Sequence, residues 1–337
     1  MRQFLLICLV FLFYSCSMTT VVPEKINGLS FVASGEPIDH ENVLPVTEVN
    51  ANYAAIMPFG FIRNLDHPEI NYNWERQWFG ETLRGVEQYI SELRKANIKI
   101  MLKPQIWVSH GEYTGSIEMD SEENWELLEN SYRNFIIDYA KLADNLKVEM
   151  LCIGTELDRF VQRRPEFWST LIKEIKSVYN GRLTYAANWD EFKRVPFWNE
   201  LDLIGVDAYF PLSESKTPTV EDCREGWQNH KSTIVEISRK HRKPVLFTEF
   251  GYRSVDYTAK EPWNSDRRMN IVNLTAQSNA MTALFEEFWD EPWFAGGFVW
   301  KWFHNEEWIK ADENSLFTPQ NKPVEQVIKL NYSKFKK

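Results

Sequence analysis

The sequence predicts an α/β protein, a single-domain (β/α)8 TIM barrel, and three observations carry that expectation. Eight short apolar runs bounded by turn residues follow one another along the chain. Longer segments of helical character separate most of them, with no linker or repeat period between residues 25 and 337. An open doubly wound sheet would place a glycine-rich phosphate turn after its first strand, and the sequence VASGEP at 32–37 supplies none. The length, 337 residues, suits one barrel with long loops.

In order, residues 26–33 (INGLSFVA) and 54–62 (AAIMPFGFI) are expected as the first two strands. Leu83, Val86, Ile90 and Leu93 share one face of a helix over 82–97. Residues 98–108 (IKIMLKPQIWV) form the third strand, and Ser121 caps a long helix running to 146. The fourth strand is VEMLCIGTEL at 148–157, and Pro165 starts the next helix, where its missing N–H costs nothing. Residues 182–190 and 202–210 give the fifth and sixth strands, and a helix over 220–242 leads to the seventh, PVLFTEFGY at 244–252. A helix over 266–289 precedes the eighth strand at 294–303, and 324–335 closes the ring.

Barrel enzymes carry their chemistry at the carboxyl ends of the strands. Those ends offer Arg63, then Lys103, Gln105, Trp107 and His110, then Thr155, Glu156 and Asp158. Next come Asn188, Trp189 and Asp190, then Asp207 and Tyr209, then Glu249, Tyr252 and Arg253, and last Trp300, Lys301 and Trp302. Acids, amides and indoles dominate this set, a lining suited to hydroxyl groups and flat sugar faces. The fourth and seventh strands each deliver one Glu, Glu156 and Glu249, to the mouth. A buried carboxylate costs several kcal/mol unless it is paired or used. Taken alone, Glu249 could be a core acid satisfied by an Arg or a backbone N–H. Two such strands together suggest a carboxylate pair of the kind that hydrolyses a glycosidic bond.

The arrangement of those two Glu resembles the clan A glycoside hydrolases. The motifs CIGTEL, FTEFGYRS and GGFVWKWF, over a span from about Ile26 to Trp308, resemble glycoside hydrolase family 113, the barrel β-1,4-mannanases. The resemblance implies a retaining enzyme with Glu156 as general acid/base and Glu249 as nucleophile. It implies that Tyr209 hydrogen-bonds the nucleophile and that Trp300 floors the subsite of the cleaved sugar. Many clan A enzymes carry Asn directly before the acid/base, whereas this chain has Thr155. Arg63 and Tyr209 are the expected donors that keep Glu249 ionised, and Glu156 is expected to stay protonated through burial and the like charge opposite. Arg63, Lys103, Trp107, Thr155, Asn188 and Trp189 complete the expected substrate-binding set.

Other residues invite plainer readings. Trp74, Trp78 and Trp125 are expected to pack helices. Lys103 and His110 could be subsite donors or surface residues of one loop. Asp207 is expected to make a structural hydrogen bond to a neighbouring strand, and Asp158 and Asp190 to balance Arg159 and Arg163. Segments 63–80, 212–220 and 253–266 are the expected subsite walls. The six His are scattered and no CxxC or HExxH spacing occurs, so neither metal nor cofactor is expected. A net charge of −10 with interleaved signs argues against nucleic acid as partner. The expected partner is an oligo- or polysaccharide, with β-mannan first and a β-glucan or xylan as the alternative. A non-catalytic sugar-binding barrel is a further alternative that leaves the two Glu unexplained.

Residues 1–16 have the plan of an export signal: Arg2, an apolar run from Phe4 to Tyr14, then Ser15 and Cys16. The run is too short for a permanent membrane span. Cys16 is the expected lipidation site, with residues 17–24 as a tether, which would anchor an exported protein to a bacterial membrane. Cys152 and Cys223, the two cysteines beyond the signal, make no disulfide framework.

Overall fold

The computed structural model describes residues 24–266, 268–305, 310 and 313–335. The signal segment with Cys16, and the tether up to residue 23, lie outside the described residues. From the amino end run β1 (Ile26–Phe31), α1 (His40–Glu48), β2 (Tyr53–Ile56), β3 (Phe59–Ile62), α2 (Leu83–Lys95), β4 (Lys99–Leu102), β5 (Gln105–Val108) and α3 (Glu122–Asn145). There follow β6 (Met150–Thr155), α4 (Asp158–Arg163), α5 (Pro165–Val178), β7 (Arg182–Asn188), β8 (Ile204–Asp207) and α6 (Val220–His241). The rest is β9 (Val245–Phe250), α7 (Leu274–Phe288), β10 (Phe294–Trp302) and α8 (Pro323–Lys334). Eight parallel strands close a barrel in the order β1-β10-β9-β8-β7-β6-β4-β2, as the alternating pattern predicted.

The second and third expected strands are each divided in two. Pro58 and Pro104 lack the N–H a ladder needs, so β2 gives way to β3 and β4 to β5 at those points. Pairing resumes at once, with Phe59 opposite Gln105, and carries a two-stranded ribbon beyond the barrel rim. The helix expected from 266 begins at Leu274, where the Asn273 side chain accepts from the Ala276 N–H. Helix α1 was not foreseen. It starts on an Asp39–Asn42 capping box and tolerates Pro45 inside it.

Two apolar layers hold the barrel. Ile26, Tyr53, Ala55, Met101, Met150, Cys152, Ala186, Leu203, Leu246 and Phe298 fill its interior. A larger layer lies between the strands and the helices, where Trp168, Trp198, Trp227 and Trp289 are fully buried. Interior volume is rationed by glycine. A Cβ on Gly205 would stand 2.2 Å from the Tyr185 backbone oxygen and 2.6 Å from Thr184 Oγ1, both on the adjoining β7. Gly205→Ala is therefore expected to destabilise the fold by about 1–3 kcal/mol through overpacking. Urea unfolding would show this as a lower midpoint at unchanged slope, and an unchanged midpoint would contradict it.

Candidate active site

Both expected Glu reach the mouth through local breaks in strand alternation. On β9, Leu246 points inward, yet Phe247 and Phe250 both pack in the outer layer. An extra residue accounts for this: Val206 pairs with Phe247, but Asp207 pairs with Glu249. This bulge puts Thr248 and Glu249 together beneath the cleft. On β6, the four residues from Cys152 to Thr155 face three on β7, from Thr184 to Ala186. Glu156 follows with φ +51°, a left-handed conformation that costs a non-glycine residue on the order of 1 kcal/mol. Three contacts hold that turn. The Glu156 N–H donates to Ala186 O at 2.8 Å, Thr114 Oγ1 donates to Glu156 O at 3.1 Å, and the Leu157 N–H donates to the Tyr185 hydroxyl at 2.7 Å.

Glu249 is buried and accepts from Lys103 Nζ at 2.5 Å, Gln105 Nε2 at 3.1 Å and the Tyr209 hydroxyl at 2.8 Å. The same ammonium reaches Asp207 Oδ1 at 3.2 Å, and Thr248 Oγ1 donates to that oxygen at 2.7 Å. Burial opposes the Lys103 charge, but Asp207 and Glu249 outweigh it and hold the ammonium above the usual lysine range. Burial first, then the Glu249 charge, pushes Asp207 up to about 7 against the pull of Lys103. Glu156, half-buried across the site, is raised well above the carboxylate range by burial and then by Asp207, Glu249 and Glu191. Between the two carboxyls of Asp207 and Glu249 sits an ammonium, so that position already holds its cation.

The mouth opens into a cleft of about 1390 Å³ lined by Glu156, Glu249, Tyr209, Thr155, Asn188, Trp189, Trp107 and Trp300, among others. A drug-sized site is usually smaller, and this one fits an extended oligomer. Thr155 Oγ1 is buried in the site without a hydrogen-bond partner. Trp189 stacks on Trp263, with ring centroids 5.1 Å apart and planes 19° apart, to form one wall. The opposite wall rises from the β3–β5 ribbon, where Trp107 is 49% exposed and Trp74 and Trp78 stand in the cleft.

Several expectations need correction. Arg63 stands exposed beyond β3, outside the cleft lining, and the cation beside Glu249 is Lys103. Lys103 is fully buried rather than a surface loop residue, and His110 sits exposed on the rim with φ +64°. Trp74 and Trp78 line the cleft because segment 63–78 forms no helix for them to pack on, whereas Trp125 is buried against Phe160. Asp158 pairs with Arg194, while Arg159 and Arg163 pair with Glu118. Asp207 does bond a neighbouring strand through Thr248, yet it also shares Lys103. Arg253 turns away to bind the Asp266, Met269 and Ser315 carbonyls. Residues 63–80 and 253–266 contribute to the walls, and 212–220 contributes none of the lining. Sequence reasoning missed Tyr113, whose hydroxyl accepts from Asn188 Nδ2 at 2.9 Å in the cleft, and Glu191 behind it. A lone loop aromatic and a second acid after a strand end were the available signals.

A closed parallel barrel with a lysine–carboxylate network beneath an aromatic cleft defines an enzyme of the (β/α)8 class. The sequence model described as Glycoside Hydrolase Family 113 matches residues 37–322. The chain belongs to that family and is a glycoside hydrolase. Among solved structures it is similar to the family 113 β-mannanase AaManA from Alicyclobacillus acidocaldarius, at 24% identity and TM-score 0.81, covering 93% of this chain and 98% of that one. A second family 113 β-1,4-mannanase structure, of a complex, matches at 23% identity and TM-score 0.80 over 92% of this chain and 99% of the other. A Faecalibacterium prausnitzii β-glucuronidase shares the barrel at 13% identity and TM-score 0.61, with 93% of this chain covering 49% of that one. No protein with a curated description matches the sequence.

Breaking one partner of a buried ion network leaves uncompensated charge. Lys103→Met is accordingly expected to cost about 3–5 kcal/mol, measured by urea denaturation at pH 7. A loss below about 1 kcal/mol would mean that Lys103 does not balance Asp207 and Glu249 in the folded protein.

Proposed function

We propose that the chain is a retaining endo-acting mannanase that cleaves β-1,4-linked mannan or manno-oligosaccharides by double displacement. One observation carries the reading: Glu249 accepts three hydrogen bonds, from Lys103, Gln105 and Tyr209, at the floor of a cleft that Glu156 also lines. In the first step a Glu249 carboxylate oxygen bonds the anomeric carbon as the glycosidic C–O bond breaks. Glu156 gives its proton to the departing oxygen. In the second step Glu156, now a carboxylate, takes a proton from water, whose oxygen bonds the anomeric carbon while Glu249 leaves. Tyr209 and Lys103 hold the Glu249 carboxylate on line, and Trp300 supports the sugar ring. Burial first, then the charges of Asp207, Glu249 and Glu191, raise Glu156 well above the carboxylate range, which suits it to carry the proton. Binding along the walls supports internal cleavage: Trp107, Trp74 and Trp78 line one side and the Trp189–Trp263 pair the other.

Mannan is favoured because the similar family 113 structures are those of a β-mannanase and a β-1,4-mannanase. The test is product analysis of the protein lacking residues 1–16 on mannohexaose, cellohexaose and xylohexaose, beside Glu156→Ala and Glu249→Ala. Mannohexaose is expected to be cut internally, with the β-anomer appearing first by proton NMR, and each variant to lose at least about 100-fold in kcat. First appearance of the α-anomer would rule out double displacement. Cleavage of cellohexaose or xylohexaose alone would replace mannan as substrate.

We further propose that residues 1–16 direct export and that Cys16 carries a lipid anchor, a reading supported by Arg2, the apolar run and the Ser15-Cys16 pair. Expressed in full length in a bacterium, the protein should enter the detergent phase and Cys16→Ala the aqueous phase. A parent already found in the aqueous phase would refute lipidation.

A further inference from the structure

Behind Glu156 lies a buried acid that the mechanism above does not use. Glu191 is 1% exposed and follows β7 by three residues, tucked under by its own N–H, which donates to Asn188 O at 3.0 Å. It lines no part of the cleft. Its Oε1 lies 3.3 Å from the Tyr185 hydroxyl. That hydroxyl already accepts the Leu157 N–H, so its own hydrogen is free to point at Glu191. The chain of contacts therefore runs from Glu191 through Tyr185 to the peptide that follows Glu156, at the strained turn described above. The other Glu191 oxygen is buried with no partner, a position that a neutral acid tolerates and a carboxylate does not.

We propose that Glu191 is a positioning residue for Glu156, acting on the Leu157 peptide through the Tyr185 hydroxyl and on the Glu156 proton through its charge. The inference rests on Glu156 being the general acid/base.

The titratable surroundings make the sign definite. Facing Glu191 are Tyr185 on β7, Glu156 after β6, Tyr113 from the loop before α3, Asp158 at the start of α4, and Arg194. Arg194 is committed to Asp158, at 3.0 and 2.6 Å, so it offsets little of the Glu191 charge. Burial above all pushes Glu191 up to about 8. Below that pH it is neutral and serves only as an acceptor for Tyr185. Above it, the new negative charge makes the Glu156 proton harder to remove. Glu191 thereby prolongs the protonated life of the acid on the alkaline side.

The test is kcat/KM for mannohexaose against pH for the parent, Glu191→Gln, Tyr185→Phe and Glu156→Gln, with thermal melting as the folding control. Glu191→Gln keeps the acceptor and removes the charge. Its alkaline limb is expected to move down by about half a pH unit, which is about a threefold loss on that limb, with the acid limb unmoved. Tyr185→Phe leaves the Leu157 N–H without its partner and is expected to lower kcat about tenfold at nearly constant KM. Should Glu191→Gln fail to fold, the Tyr185→Phe split between kcat and KM decides. A Glu191→Gln profile superimposed on the parent's, beside an inactive Glu156→Gln, overturns the inference alone. A Glu156→Gln enzyme that keeps the parent's alkaline limb overturns the acid/base reading and this inference with it.

Discussion

The site depends on the ammonium of Lys103, buried between Asp207 and Glu249. Desolvating a lysine costs several kcal/mol, and here two carboxylates offset that cost at once. The network spans three strands, β4, β8 and β9, so it also fixes their relative height at the rim. Gln105 and Tyr209 then orient Glu249 from either side. The ion cluster is a weak argument for global stability. As a device that fixes one carboxylate in one geometry it explains why so polar a set is buried at all.

The network was only partly legible in the sequence, and the reason is strand phase. Eight apolar runs announce eight strands, yet they do not say which terminal side chains face inward. Met101 lies in the barrel interior, and Lys103, two residues on and just before the interruption at Pro104, keeps that face. Period-two reasoning therefore reaches Lys103 once one interior residue of the strand is known. Arg63 fails on the same ground, because it lies beyond the end of β3 in solvent. Glu156 and Glu249 resist such reasoning altogether. Strict alternation from Leu246 would send Glu249 outward with Phe247, and only the bulge at Thr248 brings it in.

Aromatic residues show the same dependence on context. Trp125 falls on an apolar stripe of α3 and packs against Phe160. Trp74 and Trp78 lie in a stretch without helical periodicity, which was itself a sign that they had no helix to pack on. Gly154 makes the complementary point inside the barrel wall. A Cβ there would stand 2.8 Å from the Tyr132 hydroxyl and 3.0 Å from the rings of Trp168 and Tyr185. The glycine of CIGTEL thus lets Tyr185 come close enough to bond the Leu157 N–H, so a packing constraint and the shape of the Glu156 turn are one requirement.

Charge accounting links these parts. Four carboxyls, those of Glu156, Glu191, Asp207 and Glu249, cluster at the ends of β6 to β9, and among the described residues Lys103 is the cation hydrogen-bonded to them. One ammonium cannot balance four negative charges in a poorly solvated space, so each ionisation makes the next more costly. Asp207, Glu191 and Glu156 are accordingly all pushed upward, burial being the largest cause in each. Glu249 differs in having three donors, an asymmetry that supports the different roles proposed above for two chemically identical side chains. Glycoside hydrolysis needs one carboxyl that keeps its proton and one that has lost it. In the reaction proposed above, the buried acids around Lys103 would serve Glu156 as the proton carrier, because the charges of Asp207, Glu249 and Glu191 raise it, while the three donors orient Glu249.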